Sequence, residues 1–568
     1  MEVDNPQKNL PTETQVEEEA RAIGRKTFNI WNVAPRECPK LLLMSTQFFL
    51  ISYVYAILRE LKDAFTLKRQ LAASIQVMKL WFVPPVSIVA SLTVAKLLSY
   101  ASNRKILMGA LCLYAAYFLF YGFIILPYQD KIEPSVHRVG DVFHDSKMKF
   151  RGIESLAAVI VTFTCYTSTV HFIMSEVWGS AVLSLLFLSF VNDVCPFKQF
   201  IRFIRILYIS SNLALIFSFL TIKGFEFYDE KLSFIGKGWL LIGMFVFLSF
   251  VVLIVVLLGY IFKIKNFDAP LFIVESEKKK KKVSVSFGEG IRLMFKSKLV
   301  LAICCMTLAY SIGTNMAETN YKSCLDKIAK NERQSTTQIA GFLAYQQVIV
   351  GVIVIILLCT PFARLIQIFG WTTMGLVPSV AAFFSFLAVF SLATINTGID
   401  GRNMRFINAI FLSFDISNEK TNNWLYSELY VGLVAASCFK ITKYAAFDIA
   451  KEAISMRINR KYRARFKGIY DGVCGKLGKA GGSMLSAGCN LFMNANDIRS
   501  SSLIYFCLSM VLVAAWVYVI IYLGGKYYTS IKNDEDIDID VIGGKKGSAF
   551  DDDEQETAQD GKYRDKAN

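Results

Sequence analysis

Apolar residues in this chain gather into runs of about twenty, separated by short polar stretches, and a helix crossing a bilayer needs ~20 mostly apolar residues. The runs fall at about 41–64, 75–98, 105–127, 153–178, 203–222 and 238–262, then at 298–318, 338–360, 372–395, 424–448, 468–491 and 502–524. The stretches 153–178 and 468–491 are the most polar of these. Pro84 and Pro85 remove two amide donors from the second run and predict a kink there. The segment 263–297 carries the unbroken lysines Lys278–Lys282 and cannot lie in lipid. It divides the chain into an N-terminal half, 41–262, and a C-terminal half, 298–524, with six runs in each.

The pattern therefore predicts an all-α polytopic membrane protein with twelve transmembrane helices in two six-helix halves. That is the major-facilitator-like layout, in which substrate binds between the halves at mid-membrane depth. Residues 1–40 read as a polar cytoplasmic N-terminal segment, with no secretory signal or transit peptide, and 263–297 as a basic cytoplasmic linker. Residues 525–568, with DEDIDID and DDDEQE, read as an acidic disordered cytoplasmic tail. Short loops rich in Lys and Arg sit on the cytoplasmic side. Arg104–Lys105, the Lys198–Arg205 stretch, the linker and RINRKYRARFK at 457–467 thus predict that both termini are cytoplasmic.

Composition agrees and adds one tension. Of 568 residues, 54% are hydrophobic and only 19% charged, which excludes a soluble protein, yet the formal net charge is +16. Basic loops account for much of that excess. Their nearer partner is the anionic lipid of the bilayer, and no nucleic-acid partner is expected. The twelve cysteines are scattered without ligand spacing, so neither a metal site nor a cofactor is expected. No Ser-His-Asp or Cys-His arrangement is visible either, which leaves a membrane-embedded enzyme a remote alternative.

Charge inside the apolar runs carries the functional signal, because an ionisable group at mid-membrane costs ~2.5–3.5 kcal/mol on insertion scales. Four clusters stand out: Arg59, Glu60, Lys62 and Asp63 closing the first run; Glu176 closing the fourth; Glu318 and Lys322 at the seventh; and Lys440, Lys443, Asp448 and Lys451 at the tenth. One such cluster would mark a helix end at the lipid headgroups, where long cations snorkel. Four of them, on runs 1, 4, 7 and 10, correspond pairwise under a six-helix repeat and fall where a central cavity would be. Lysines in a dehydrated cavity suit a polyanion such as a phosphorylated metabolite, and carboxylates can neutralise them when it is absent. The segment KGIYDGVCGKLGKAGGSMLSAG at 467–488 fails as a phosphate loop: Gly472 and Gly478 are one residue too far apart, and Ala480 replaces the hydroxyl residue. Gly475, Gly478, Gly482 and Ser486 instead have the spacing of closely packed membrane helices, with Lys476 and Lys479 bordering the cavity and Asp471 a candidate partner.

The strings LRELKDAF (58–65), KLWFVPP (79–85), SEVWGSAVLSLLF (175–187), Asn192-Asp193, KYAAFDIAKE (443–452) and DGVCGKLGKAGGS (471–483) resemble, in this order and spacing, the ATP/ADP nucleotide transporter family of plastids, obligate intracellular bacteria and microsporidia. The likeness spans about 41–525, and the Phe, Ile and Lys richness is most similar to the microsporidian branch. It implies a twelve-helix carrier exchanging ATP for ADP, in some members together with phosphate; other members import purine nucleotides with protons. It also implies essential charges at Lys62, Glu176, Glu318 and Lys451. Three departures bear on nucleotide preference: FDIAKE stands where the family has FDPTKE, Lys476 where it has arginine, and Arg205 where it has a proline. On this reading Lys62 and Lys451 bind phosphates from opposite halves, assisted by Lys79, Lys322, Lys443, Lys476 or Lys479. Glu176 and Glu318 hold the lysines in the empty carrier, and Trp178, Tyr166 or Tyr321 stacks on adenine. The expected location is the plasma membrane of an intracellular parasite.

Overall fold

The computed structural model describes residues 13–26, 32–98, 100–133, 156–267, 297–360, 368–399, 421–458, 466, 470, 474–493, 497–533 and 537. The expectations for the lysine run, most of the 457–467 loop, Asp471 and the acidic tail lie outside these residues. Within them, twelve long helices are described. They are α1 Cys38–Arg69, α2 Ala72–Leu98, α3 Asn103–Ile132, α4 Tyr166–Val194, α5 Phe197–Asp229 and α6 Phe234–Ile264, then α7 Lys298–Asn331, α8 Thr336–Cys359, α9 Trp371–Ile399, α10 at 421–456, α11 Gly475–Met493 and α12 Ser502–Asn533. A further short helix at Glu13–Lys26 lies in the segment expected to be merely polar. Local chemistry sets several starts. Ser233 and Ser297 cap α6 and α7 through Gly236 and Val300, and Ser335 forms a capping box with Gln338 at α8.

Ten of these helices are long and apolar enough to cross a membrane. The other two fall short for different reasons: α10 carries Glu428, Lys440, Lys443, Asp448 and Lys451 spread along its length, and α11 is only 19 residues, rich in glycine, with Lys476 and Lys479. The boundaries differ from expectation in a consistent direction. α1 continues to Arg69, seven residues past Lys62, and α7 to Asn331, thirteen past Glu318. The fourth span is corrected: 157–164 forms a separate short helix, the chain breaks at Cys165 (φ −87°, ψ 50°), and α4 runs from Tyr166 to Val194. Glu176 therefore sits inside α4 and does not close it. Pro84 and Pro85 follow a π-helical turn at Met78–Phe82, which absorbs the irregularity the prolines impose.

Packing repeats with a six-helix offset. α1 lies along α4, α5 and α6 as α7 lies along α10, α11 and α12, and α3 pairs with α6 as α9 pairs with α12. The two sets meet along α5–α8 and α1–α8. Gly478 and Gly482 let α11 approach α7 closely, since a Cβ on either would lie within 3 Å of Ser311 or Asn315. Gly475 has no such neighbour. The end bearing the α1–α2 and α7–α8 turns is called the far end here, and the end where α1 and α7 begin the near end. At the far end one apolar core runs through both sets, joining Phe65 and Phe172 to Tyr321, Ile328, Leu343 and Leu429. The rest of the last six helices packs as a second core around Tyr310, Trp371, Phe439, Tyr470 and Trp516.

Buried ion pairs lock each set. Near the start of α1, Glu37 takes both Arg202 (2.8 Å) and Gln199 (2.8 Å). In the last six helices, Arg499 and Glu428 are wholly buried in a two-bond pair (2.8 and 2.9 Å), with Asn396 on the same carboxylate. Breaking a pair of this kind leaves an uncompensated buried charge, a loss of ~3–5 kcal/mol. Arg499→Leu should therefore lower the thermal unfolding midpoint of the detergent-purified protein by several degrees. The paired replacement Arg499→Met with Glu428→Leu should recover most of that loss, as read by intrinsic fluorescence during heating.

Candidate functional site

Between the two sets, midway along α1, α4, α7 and α10, lies one continuous network of charge. Residues 55, 59, 62 and 63 fall on one face of α1 by helical spacing. From that face Lys62 pairs with Asp63 (2.9 Å) and with Glu176 of α4 (3.1 Å), its ammonium 4.0 Å from the centre of the Phe172 ring. The second oxygen of Asp63 takes Lys322 of α7 (2.8 Å). Glu318, one turn before Lys322, pairs with Lys440 of α10 (3.0 Å) and faces Lys79 of α2 (3.8 Å) and Lys322 (4.0 Å). Lys440 also donates to Gln346 of α8 (2.9 Å), Lys79 to Asn315 of α7 (3.2 Å), and Arg59 to Glu60 (3.1 Å). Five cations (Arg59, Lys62, Lys79, Lys322, Lys440) are thus held by four carboxylates (Glu60, Asp63, Glu176, Glu318). Such pairing is what an apolar surrounding demands of buried charge, and among these nine groups it leaves one positive charge in excess. The side chain of Glu176 remains 26% exposed, so the network borders an open space.

Of the residues picked from the sequence, Lys62, Glu176, Glu318, Lys79 and Lys322 come together here. Lys451 does not join them. It pairs with Asp448 (3.3 Å) beside the Phe447 ring, eleven residues beyond Lys440 and therefore about 16 Å further along α10 at 1.5 Å per residue. The Trp371 indole, bonded to the Ala450 carbonyl (2.7 Å), fixes that stretch against α9. Lys443 is half-buried in a π-helical turn, Lys443–Phe447, between the two stations. Lys476 and Lys479 are exposed on α11; Lys479 is near enough to Glu176 to act on it through space, and its carbonyl accepts from Asn315 (3.4 Å).

The aromatic candidates fare differently. Trp178 is fully buried, its indole bonded to the Ile51 carbonyl (3.2 Å) and edge-on to Tyr114, so it is a strut of the first set. Tyr166 lies at the far end, donating to the Ile132 carbonyl (3.1 Å), and Tyr321 is buried behind Gly432. Besides Phe172, whose ring lies against Lys62, Tyr55 borders the network and was passed over in the sequence. Its ring rests on Gly179, where any Cβ would come within 2.5 Å, and its hydroxyl is close enough to Glu176, Arg59 and Asp63 to feel their charge. Asp63 and Lys440, which the sequence places in the cavity-facing clusters but not among the substrate-binding residues, join the site as well. The spacing from Tyr55 through Arg59 to Lys62 and Asp63 was the signal available for the α1 residues.

Ties across the seam run from the depth of the network to the far end. Gln76 of α2 donates to Thr319 (2.6 Å), Asp326 accepts the Ala72 amide (3.3 Å), Lys68 reaches the Gln334 carbonyl (2.6 Å), and Gln347 of α8 binds both Glu60 and the Ala56 carbonyl. Towards the near end the described tie is the α5–α8 seam, where Arg205 donates to the Leu358 carbonyl.

Comparison with known proteins gives this geometry a family. Residues 16–527 match the TLC ATP/ADP transporter family. Among curated relatives, "ADP,ATP carrier protein 1" of Paranosema grylli is 35% identical, covering 95% of this chain and 97% of the relative. The protein of the same name in Encephalitozoon cuniculi is 33% identical over 94% of this chain and 95% of its own length, and that in Chlamydia muridarum 25% identical over 82% and 85%. Among solved structures, a bacterial homolog of the human lysosomal transporter Spinster is similar at a TM-score of 0.48 and 11% identity, covering 87% of this chain and 98% of that one. The chain, a multi-pass integral membrane protein, belongs to the TLC ATP/ADP transporter family.

Proposed function

We propose that this protein exchanges ATP for ADP across a membrane by alternating access, with twelve crossings in two six-helix, major-facilitator-type halves rocking about the charge network. The observation that carries the reading is the matching of five cations by four carboxylates drawn from both helix sets. A neutral sugar needs no such array. A nucleotide polyphosphate needs several cations, and in an apolar surrounding those cations must be neutralised whenever the nucleotide leaves. Lys62, Lys79, Lys322 and Lys440 are proposed to bind phosphates, with Glu176 and Glu318 receiving the lysines in the empty carrier. Lys443, Lys451, Lys476 and Lys479 are proposed to guide the anion between this station and the near end. Tyr55, backed by Gly179, takes the stacking role against the base. With both termini cytoplasmic and the protein in the plasma membrane, the near end faces the cytoplasm. Proton-coupled import of purine nucleotides is the competing reading, and the dense buried carboxylates are what favours it.

Reconstituted vesicles separate the two. Labelled ATP should enter vesicles preloaded with unlabelled ADP much faster than empty ones, and a protonophore should leave the rate unchanged. Equal rates with and without ADP would sink exchange, and collapse with protonophore would establish proton coupling. Exchange of ATP⁴⁻ for ADP³⁻ also moves one net charge, so an interior-positive potential of about 100 mV should favour ATP accumulation by about 2.3 kcal/mol.

Lys62→Ala removes one charge-assisted contact to phosphate, worth ~1.5–3 kcal/mol. ATP uptake should fall roughly ten- to a hundredfold, with the variant still recovered in the membrane fraction. Unchanged uptake by Lys62→Ala and Lys440→Ala together would remove the proposed phosphate station.

A further inference from the structure

We infer that Asp63 is the latch that couples the two helix sets, holding the far end shut until a polyanion takes its lysines. The inference rests on the exchange reading above and adds to it the residue that makes exchange compulsory.

Among the carboxylates of the network, Asp63 has an unusual pair of partners. One oxygen holds Lys62 of its own helix set at 2.9 Å and the other holds Lys322 of the opposite set at 2.8 Å. Glu176 serves Lys62 within the first set, and the shortest pair of Glu318 is with Lys440 within the last. The charged groups facing Asp63 are thus Lys62 on α1, Lys322 on α7 and, further off, Lys79 on α2. Neither lysine depends on Asp63 alone for neutralisation, because Lys62 keeps Glu176 and Lys322 keeps Glu318 at 4.0 Å. What Asp63 alone adds is the short ionic tie between α1 and α7. Of the remaining ties around it, the Ala72 amide to Asp326 lies one turn nearer the far end and Gln76 to Thr319 lies level with the network, and both are closed by the same approach of the two sets.

The consequence is a competition. A polyphosphate entering from the near end offers oxygens to Lys62 and Lys322 and displaces Asp63 from both. The Asp63 carboxylate, no longer bridging, ceases to hold α1 against α7, and the far end can part. Without an anion, parting the sets would pull Lys322 from its nearest carboxylate in a poorly solvated site, so the empty carrier stays closed there. A ligand shifts such an equilibrium only through its different affinity for the two states. Here the difference is supplied by lysines that are bound to Asp63 in one state and free for phosphate in the other.

Asp63→Asn keeps the side-chain volume and an acceptor oxygen, and leaves Lys62 with Glu176 and Lys322 beside Glu318, so the protein should insert and fold. In reconstituted vesicles the ratio of ATP uptake with ADP inside to uptake into empty vesicles should be large for the unaltered protein. In Asp63→Asn it should fall by about tenfold, a shift of about 1.4 kcal/mol between states, because the empty carrier can now return. Lys322→Gln, which breaks the same tie from the other side, should reduce the ratio likewise. A second readout does not depend on transport: Gln76→Cys with Thr319→Cys should crosslink α2 to α7 beside the network under oxidation, scored by mass spectrometry of the joined peptides. Adding ATP should lower that yield in the unaltered background, and Asp63→Asn should lower it without ATP. If the unaltered protein shows no dependence on internal ADP, the exchange reading fails and the crosslink still decides the latch. Asp63→Asn with both an unaltered uptake ratio and an unaltered crosslink yield would overturn it, as would a transport-dead Asp63→Asn whose crosslink yield is unaltered.

Discussion

An ammonium group in a medium that cannot solvate it must be met by a carboxylate or a comparable anion, and the centre of this protein is organised by that requirement. Lys62, Lys79, Lys322 and Lys440 are supplied by α1, α2, α7 and α10, and their counter-charges come from α1, α4 and α7. Because donors and acceptors belong to different helices, the helices cannot drift apart singly. Their apolar faces pack as they do, with Gly478 and Gly482 thinning α11 against α7, around a core of charge that has already fixed their mutual distance. The arrangement resembles a set of interlocked pairs more than a lined pore.

That organisation also explains why the ends of the helices were hard to place. A hydropathy window stops at a charge because it assumes the charge faces lipid or water. In α1 and α7 the charges face neighbouring helices, so the helices continue well past Lys62 and Glu318. Positions of charge were legible, and with them the choice of the first, fourth, seventh and tenth helices. The partners were not, because Asp63 and Lys322 are 259 residues apart and only packing selects one lysine from several. The break at Cys165 had no proline or glycine to announce it, which displaced the fourth span. Lys451 was readable as a buried charge but not as one remote from Lys62, since depth along a helix shows only once its register against the others is known.

The aromatic residues repeat the point. Trp178 and Tyr321 were attractive because of the charged motifs beside them, yet a residue next to a cavity-facing charge in sequence points roughly 100° away from it on a helix. Trp178 accordingly enters the first core, two positions from Glu176. Tyr55 lies seven residues before Lys62, close to two full turns, and so shares its face.

The π-helical segments of α4 and α10 divide each of these helices in two. They begin at Trp178, just after Glu176, and at Lys443, just after Lys440, at matching places in helices that correspond under the six-helix offset. The five-residue segment of α10 absorbs about one additional residue, so the backbone beyond it is rotated by roughly 100° relative to an uninterrupted helix, and the ten-residue segment of α4 shifts its continuation further. Each of these helices is in effect two cylinders with independent facings. One is indexed to the charge network, and the other to the packing at the near end. Rewinding these segments to ordinary α-helix would swing every side chain beyond them by about a quarter of a revolution or more while leaving Glu176 and Lys440 where they stand.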